Sequence, residues 1–230
     1  MKTKAVIFDM DGVITNTEKI HYLAWKKTFK EIGVDLTLES FYKHIQSRAR
    51  NVSISNILDQ VSEKNILSIS NRKGVIYEQM IYSSKPEIYK DAIELIEFLS
   101  VKGIKMAVAS ASSFSKKMIR LINLEDKFEF IIDGTEVKKN KPNPEIYNMA
   151  IHKLGLHSRE CIVIEDSLSG IEAGLKAYTR VIGIDRENHL NTTEGVFLTK
   201  SLSTEDVRKF IIKDDDFIMS KSVLSNEEQK

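Results

Sequence analysis

Two aspartates, Asp9 and Asp11, close the stretch AVIFDMDG, straight after four apolar residues and straight before a glycine. Carboxylates are costly to bury, so a core strand that ends in two of them calls for a chemical reason. Further along, Ser110 and Ser112 end the run MAVASAS, Lys141 stands in KKNKPNP, and Glu165 and Asp166 end CIVIEDS. Several carboxylates brought to one point repel each other unless a cation sits among them. Oxygen donors without clustered His or Cys select Mg²⁺ over zinc. Mg²⁺ and Lys141 would neutralise the oxygens of a phosphoryl group, while Ser110 and nearby backbone N–H groups, at Ala111 in particular, hold them. Asp9 is then placed to attack phosphorus and carry it as an aspartyl phosphate. Asp11, two residues on, would protonate the leaving oxygen and later take the proton of the incoming one.

For these residues to meet, the chain must bring several strand ends to one rim. Five short runs rich in β-branched residues read as buried parallel strands: AVIF (5–8), MAVAS (106–110), FIID (130–133), CIVIE (161–165) and RVIGI (180–184). Amphipathic helical stretches lie between them. DAIELIEFLSVKG ends at Gly103; NPEIYNMAIHKLG has Asn143 as cap, Pro144 at the first helical position and Gly155 as stop; SGIEAGLKAY follows the fourth run. Such alternation predicts an α/β fold with a doubly wound parallel sheet, whose ligands sit at the carboxyl ends of the strands.

Residues 17 to about 84 break the alternation, with helical patterns in succession and no strand-like run. In NVSISNILDQV the apolar Ile54, Ile57, Leu58 and Val61 recur at helical spacing behind Asn51 as cap. The expectation is a helical unit of residues 16–85 inserted into a core of 1–15 and 86–230, its hinges near 14–17 and 83–88. An insertion there is expected over the active end of the sheet. The tail from Asp214 onward reads as solvated or loosely docked.

Composition narrows the partner. The 230 residues are 42% apolar and carry 34 basic and 33 acidic side chains, a formal charge of +1. Such a balance offers no field for nucleic acid or an acidic membrane surface. The first apolar run is too short for a signal segment or a membrane span. The expectation is a cytoplasmic monomer acting on a small molecule. The single cysteine, Cys161, reads as a buried inert thiol, and the sequons at Asn51 and Asn191 carry no weight in a cytosolic chain. His44, His152, His157 and His189 lack ligand spacing, and GIEAG lacks a dinucleotide fingerprint, so Gly170 and Gly174 read as helix-packing glycines. Lys116, Lys117, Lys138 and Lys139 read as solubilising charge.

Asp9-Met10-Asp11-Gly12, Ser110, Lys141 and Glu165-Asp166, in that order, resemble the four motifs of the haloacid dehalogenase superfamily of phosphotransferases. The resemblance runs to about residue 200. It implies a Rossmann-like core with an inserted α-helical cap, Asp9 as nucleophile, Asp11 as general acid and base, and Mg²⁺ held by Asp9, the backbone carbonyl of Asp11, Glu165 and Asp166. The parent dehalogenases lack the metal and the second aspartate, so Asp11 argues against dehalogenation.

Thr17, His21 and Trp25, at i, i+4 and i+8, form one stripe of the first cap helix. With Arg50 in SRARNVSISNILD and Lys73 in NRKGVIYEQMI, they resemble the β-phosphoglucomutase family. That resemblance implies interconversion of β-glucose 1-phosphate and glucose 6-phosphate, primed by β-glucose 1,6-bisphosphate. Thr17, His21, Trp25, Arg50, Lys73 and Ser112 would meet the sugar phosphate, with Arg50 gripping the phosphate that is not transferred. Gln46 and Ser113 stand where that family has lysines. Two fewer cations weaken retention of a bisphosphate, so a Mg²⁺-dependent sugar-phosphate phosphatase is the alternative. A non-catalytic phosphosugar-binding protein is a third reading, against which the complete motif set argues.

Overall fold

Short runs without a polar interruption fold as strands here because both faces of the sheet are covered. The computed structural model describes residues 2–45, 50–84, 86–188, 190 and 194–212. Along them the chain runs β1 (Ala5–Phe8), β2 (Thr15–Asn16), α1 (Glu18–Lys30), α2 (Leu38–His44), α3 (Arg50–Ile57), α4 (Glu63–Ser84), β3 (Glu87–Ile88), α5 (Lys90–Val101), β4 (Lys105–Ala109), α6 (Ser115–Leu121), β5 (Ile131–Ile132), α7 (Glu145–Leu154), β6 (Cys161–Glu165), α8 (Leu168–Lys176), β7 (Arg180–Ile184), β8 (Val196–Thr199) and α9 (Glu205–Ile212). It divides into two compact units, one of residues up to Ile14 and from Tyr89 onward, the other Thr15–Ile88.

The first unit holds a six-stranded sheet ordered β5-β4-β1-β6-β7-β8, with every paired strand parallel. This is a Rossmann-type α/β fold, as the alternation predicts. Along β1, side chains alternate between faces with the two-residue strand period. Ala5 and Ile7 join Cys161, Val163 and Val181 under Ile146, Tyr147 and Ala150 of α7 and Ile171 and Ala173 of α8. Phe8 faces the other way and meets the edge of the Phe128 ring at 5.9 Å.

Strand β8 escaped the sequence reading. Its four residues are all half-buried, so VFLT shows neither the alternation nor the dense apolar run that marks the others. The helix α7 also starts one residue later than expected: Pro144 occupies the cap position and Asn143 accepts the Glu145 N–H through Oδ1 at 3.0 Å. Gly155 does end it, at φ +67°.

The second unit contains α1 to α4 and the two-residue ladder of β2 with β3, in which Thr15 pairs with Ile88 and Asn16 with Glu87. That ladder draws the unit boundaries to 14/15 and 88/89, against 15/16 and 85/86 from the sequence. Trp25, Phe29, Leu36, Phe41, Ile45, Ile54 and Ile69 form its core. Arg50 is itself helical, so Asn51 lies within α3 and not at its cap. The helix ends at Ile57, and Leu58 and Val61 pack against the core from beyond it. Gln46, Asn191 and the tail after Asp214 lie outside the described residues.

Cys161 opens β6 and is fully buried. Burial, aided by the nearby Glu160 charge, pushes its thiol up to about 12, and only the thiolate reacts. A disulfide reagent at about pH 8 should therefore leave the native protein unlabelled and titrate one thiol only in denaturant. Rapid labelling of the folded chain would contradict this placement.

Candidate active site

Going outward from β1, the chain fills one side of the sheet first, with β4 and β5, and then the other, with β6, β7 and β8. The order reverses at β1, and in open α/β sheets the crevice beyond the carboxyl end at such a reversal is where ligands bind. Asp9 is the first residue past that end. Its N–H donates to the Ile164 carbonyl of β6 at 2.9 Å, and the residue is buried. Glu165 ends β6 and Asp166 follows it. Oxygens of Asp9, Glu165 and Asp166 lie within 4.8 Å of one another. Asp11 is half-buried beside them.

Two glycines make room for this group. At Gly12, φ is +80° and a Cβ would come 1.9 Å from Asp166 Oδ2; at Gly170, a Cβ would lie 1.8 Å from Glu165 Oε1. Gly170 therefore does more than pack a helix, since it lets the first turn of α8 close over the Glu165 carboxylate. Glu165 Oε2 accepts the Asp166 N–H at 3.1 Å, the Ser167 N–H at 3.2 Å and the Ser167 hydroxyl at 3.0 Å. Ser167 also caps α8, accepting the Gly170 N–H at 3.1 Å. An anion at that helix start is favoured by the exposed N–H dipoles.

Lys141 is the cation of the group. Its Nζ donates to Asp9 Oδ1 at 2.5 Å, Glu165 Oε1 at 2.6 Å and the Ala109 carbonyl at 3.2 Å, and stands 5.0 Å over the Tyr147 ring. Tyr147 donates its hydroxyl to Glu165 Oε1 at 2.7 Å. Burial works against the Lys141 charge, but Asp9 and Glu165 hold it well above the usual lysine range. Burial and the Glu165 charge push the Tyr147 phenol up, so it stays a donor. The loop carrying Lys141 is fixed by Glu145, whose carboxylate accepts the N–H groups of Lys138 and Lys139 at 2.9 and 3.0 Å.

Sequence reasoning missed Tyr147, Glu145 and Ser167. Tyr147 sits in the apolar stripe of NPEIYNMAIHKLG and reads as core there. Lys116 is a correction as well: it pairs with Glu136 at 2.8 Å and Asp133 at 3.4 Å, which ties α6 to the loop after β5.

Ser110 is buried past β4, and its hydroxyl accepts the Ser112 N–H at 3.1 Å. Ser112 accepts the Phe114 N–H at 3.3 Å through its own hydroxyl. Ala111 between them is exposed, with its carbonyl packed against Gly134, where a Cβ would lie 2.1 Å away. Ser113 is exposed.

In the helical unit, Thr17 precedes α1 and its carbonyl accepts the His21 N–H at 2.8 Å. Buried Lys73 of α4 places Nζ 2.8 Å from His21 Nδ1, 4.4 Å over the Tyr77 ring and 5.6 Å over Trp25. His21 stacks on Tyr77 at 4.3 Å. Trp25 is 4% exposed and stacked on Phe29, so it belongs to the unit's core and offers a face to Lys73. Arg50 reaches α4 beside Lys73, since a Cβ on Gly74 would stand 3.5 Å from its Nη1. The helical unit thus brings Lys73 to His21 and the Arg50 guanidinium to Gly74 of α4.

The haloacid dehalogenase-like hydrolase pattern matches residues 6–184, a span that takes in β1 to β7 and the helical unit. The chain belongs to the haloacid dehalogenase-like hydrolase family. It is 31% identical over 188 residues to a β-phosphoglucomutase of Bacillus subtilis, covering 79% of this chain and 83% of that protein. It is 30% identical over 186 residues to a phosphorylated carbohydrates phosphatase of Thermotoga maritima, covering 79% and 85%. The crystal structure of a β-phosphoglucomutase from Clostridium difficile superposes with a TM-score of 0.79 at 28% identity, over 91% of this chain and 96% of that one.

For a haloacid dehalogenase-like chain the carboxylate group invites a test for a divalent cation, and its residues fit one. Burial first, then Glu165 and Asp11, raise Asp9 to about 7 against the pull of Lys141. Burial, Glu165 and Asp9 push Asp166 well above the carboxylate range. One lysine does not balance three converging carboxylates, and an all-oxygen donor set suits Mg²⁺. Because the folded-state value of Asp9 is raised, its contribution to stability is present below the ordinary carboxylate range and is lost as pH rises through about 7. Mg²⁺ at a hundredfold excess over its dissociation constant should therefore raise the unfolding midpoint by roughly 5–10 °C near pH 8. Near pH 5, where protons compensate the cluster, the gain should be much smaller. Calorimetry showing the same gain at both pH values, or none, would contradict the fit.

Proposed function

We propose that this chain is a Mg²⁺-dependent β-phosphoglucomutase, interconverting β-glucose 1-phosphate and glucose 6-phosphate through an aspartyl phosphate. The observation that carries the proposal is the contact of Asp9 with Lys141 at the end of β1, 2.5 Å, with Asp11 two residues on. In this reading Asp9 attacks phosphorus and the bond to the leaving oxygen breaks. Asp11 protonates that oxygen, and in the return step takes the proton of the sugar hydroxyl that receives the phosphoryl group. Lys141, the Ser110 hydroxyl and the Ala111 backbone hold the non-bridging oxygens. Asp9, the Asp11 carbonyl, Glu165 and Asp166 would hold Mg²⁺, which supplies charge neutralisation at the phosphoryl oxygens. Ser112, Thr17, His21, Arg50 and Lys73 serve the sugar phosphate, with Arg50 as clamp for the second phosphate, while Trp25 keeps to the core of the helical unit. β-Glucose 1,6-bisphosphate is the priming intermediate. The pairing of Lys73 with His21 on the helical unit and the similarity to the B. subtilis β-phosphoglucomutase support the mutase form. We place the enzyme, as a monomer, in the cytoplasm.

A phosphatase on the same core is favoured by one observation, the absence of lysines at Gln46 and Ser113, and differs only in whether water takes the phosphoryl group from Asp9. Phosphorus NMR with Mg²⁺, β-glucose 1-phosphate and a trace of bisphosphate decides between them. We expect glucose 6-phosphate to grow faster than inorganic phosphate; dominance of inorganic phosphate would establish the phosphatase instead. Arg50→Ala should lower mutase flux by roughly tenfold to a hundredfold, the loss of a charge-assisted hydrogen bond or two. Phosphorylation of Asp9 by a small acyl phosphate should stay nearly unchanged. Equal losses in both would remove Arg50 from the clamp.

A further inference from the structure

Arg186, two residues past β7, is engaged by both sequence neighbourhoods that flank the helical insertion. Its guanidinium pairs with Asp91 through two bonds, at 2.9 and 3.0 Å, and lies 3.7 Å over the Tyr89 ring. The same fork aims Nε at the Gly12 carbonyl and Nη2 at the Val13 carbonyl, each at 3.4 Å. Asp91 accepts the Leu202 N–H at 2.8 Å as well. Burial works against the Asp91 charge, yet Arg186 and Leu202 hold its carboxyl below the usual range. The group is thus a fixed bracket, built on the start of α5 and facing the backbone that follows Asp11.

At its Cα, Gly12 has no room for a Cβ because Asp166 Oδ2 would stand 1.9 Å away. Its backbone therefore meets Asp166 at Cα and Arg186 at the carbonyl. We propose that Arg186 is a positioning residue for Asp11: by holding the carbonyls of the next two residues, it keeps the Asp11 loop seated against Asp166. Its own side chain touches no reacting atom. A planar fork can hold a carboxylate with two prongs and still reach neighbouring carbonyls, which a lysine cannot reproduce. A misplacement of about 1 Å at a proton donor costs on the order of a hundredfold in rate.

The inference rests on the reading of Asp11 as the acid that protonates the leaving oxygen, and the test separates the two. Single-turnover phosphorylation of Asp9 in the Mg²⁺-loaded enzyme, which leaves out the shared return step, is compared for two donors: a hexose phosphate, the 1,6-bisphosphate, whose alkoxide leaving group needs a proton, and a nitrophenyl phosphate, whose phenolate does not. Asp11→Asn should slow the first far more than the second, by about a hundredfold or more in ratio. Arg186→Met should show the same bias, roughly tenfold or greater, and Arg186→Lys a smaller one, with KM for the hexose phosphate nearly unchanged. Thermal melts establish that each variant is folded; if Arg186→Met does not fold, Arg186→Lys alone carries the comparison. Biased losses in both Asp11→Asn and the Arg186 variants support the inference. Bias in Asp11→Asn with uniform losses in the Arg186 variants overturns it and leaves Asp11 in place. No bias in Asp11→Asn removes the acid assignment, and the Arg186 inference falls with it.

Discussion

A buried ammonium between two buried carboxylates, Lys141 with Asp9 at 2.5 Å and Glu165 at 2.6 Å, is the contact on which the rest of the core depends. Removing such charges from water costs several kcal/mol each, and their attraction offsets this only when the remaining donors and acceptors are satisfied. Here they are met from several directions. Ala109 accepts from Lys141, Tyr147 donates to Glu165 Oε1, and Ser167 with the Asp166 N–H closes Oε2. Deleting one partner of a buried pair typically costs about 3–5 kcal/mol, so the contact belongs to the stability of the sheet's active rim as much as to its chemistry.

The surroundings divide the labour among the carboxylates. Glu165 is bound through both oxygens and sits over the start of α8, where it acts as a fixed charge. Asp9 is bound to Lys141 through Oδ1 and stands at the reversal of strand order, where the nucleophile we propose would face the crevice. Gly12 and Gly170 carry none of this charge, but a methyl group at either would displace a carboxylate. The loop of Lys141 is secured from α7 by Glu145. Local backbone control of this kind lets a small set of side chains act in concert on one phosphoryl group.

Asp9, Ser110 and Glu165-Asp166 were legible because each ends an apolar run, and Lys141 because it stands just before a helix start; the alternation of runs with amphipathic helices is enough to bring them to one rim. Three of the five strands, at 5–8, 161–165 and 180–184, have the bounds read from their composition. Strand β8 lacks that signal because it is half-buried along its length. The supporting residues were hidden for a different reason. Tyr147 reads as core because its ring is core; only the fold reveals that its hydroxyl meets Glu165. Arg186 and Glu145 carry no local sequence signal, since their partners lie far away in sequence or are backbone groups. Asn51 shows the limit of cap signals, because an asparagine before an apolar period fits a helical turn as well as a cap.

The central claim is that Asp9 carries the phosphoryl group. Its most direct test is rapid acid quench of the Mg²⁺-loaded enzyme with radiolabelled β-glucose 1-phosphate and a trace of unlabelled bisphosphate, followed by peptide mapping under conditions that preserve acyl phosphates. The account predicts label on the peptide containing Asp9, appearing before labelled glucose 6-phosphate and chasing into it when unlabelled substrate is added. Turnover at full rate with no label on the protein, or with label at another residue, would contradict it.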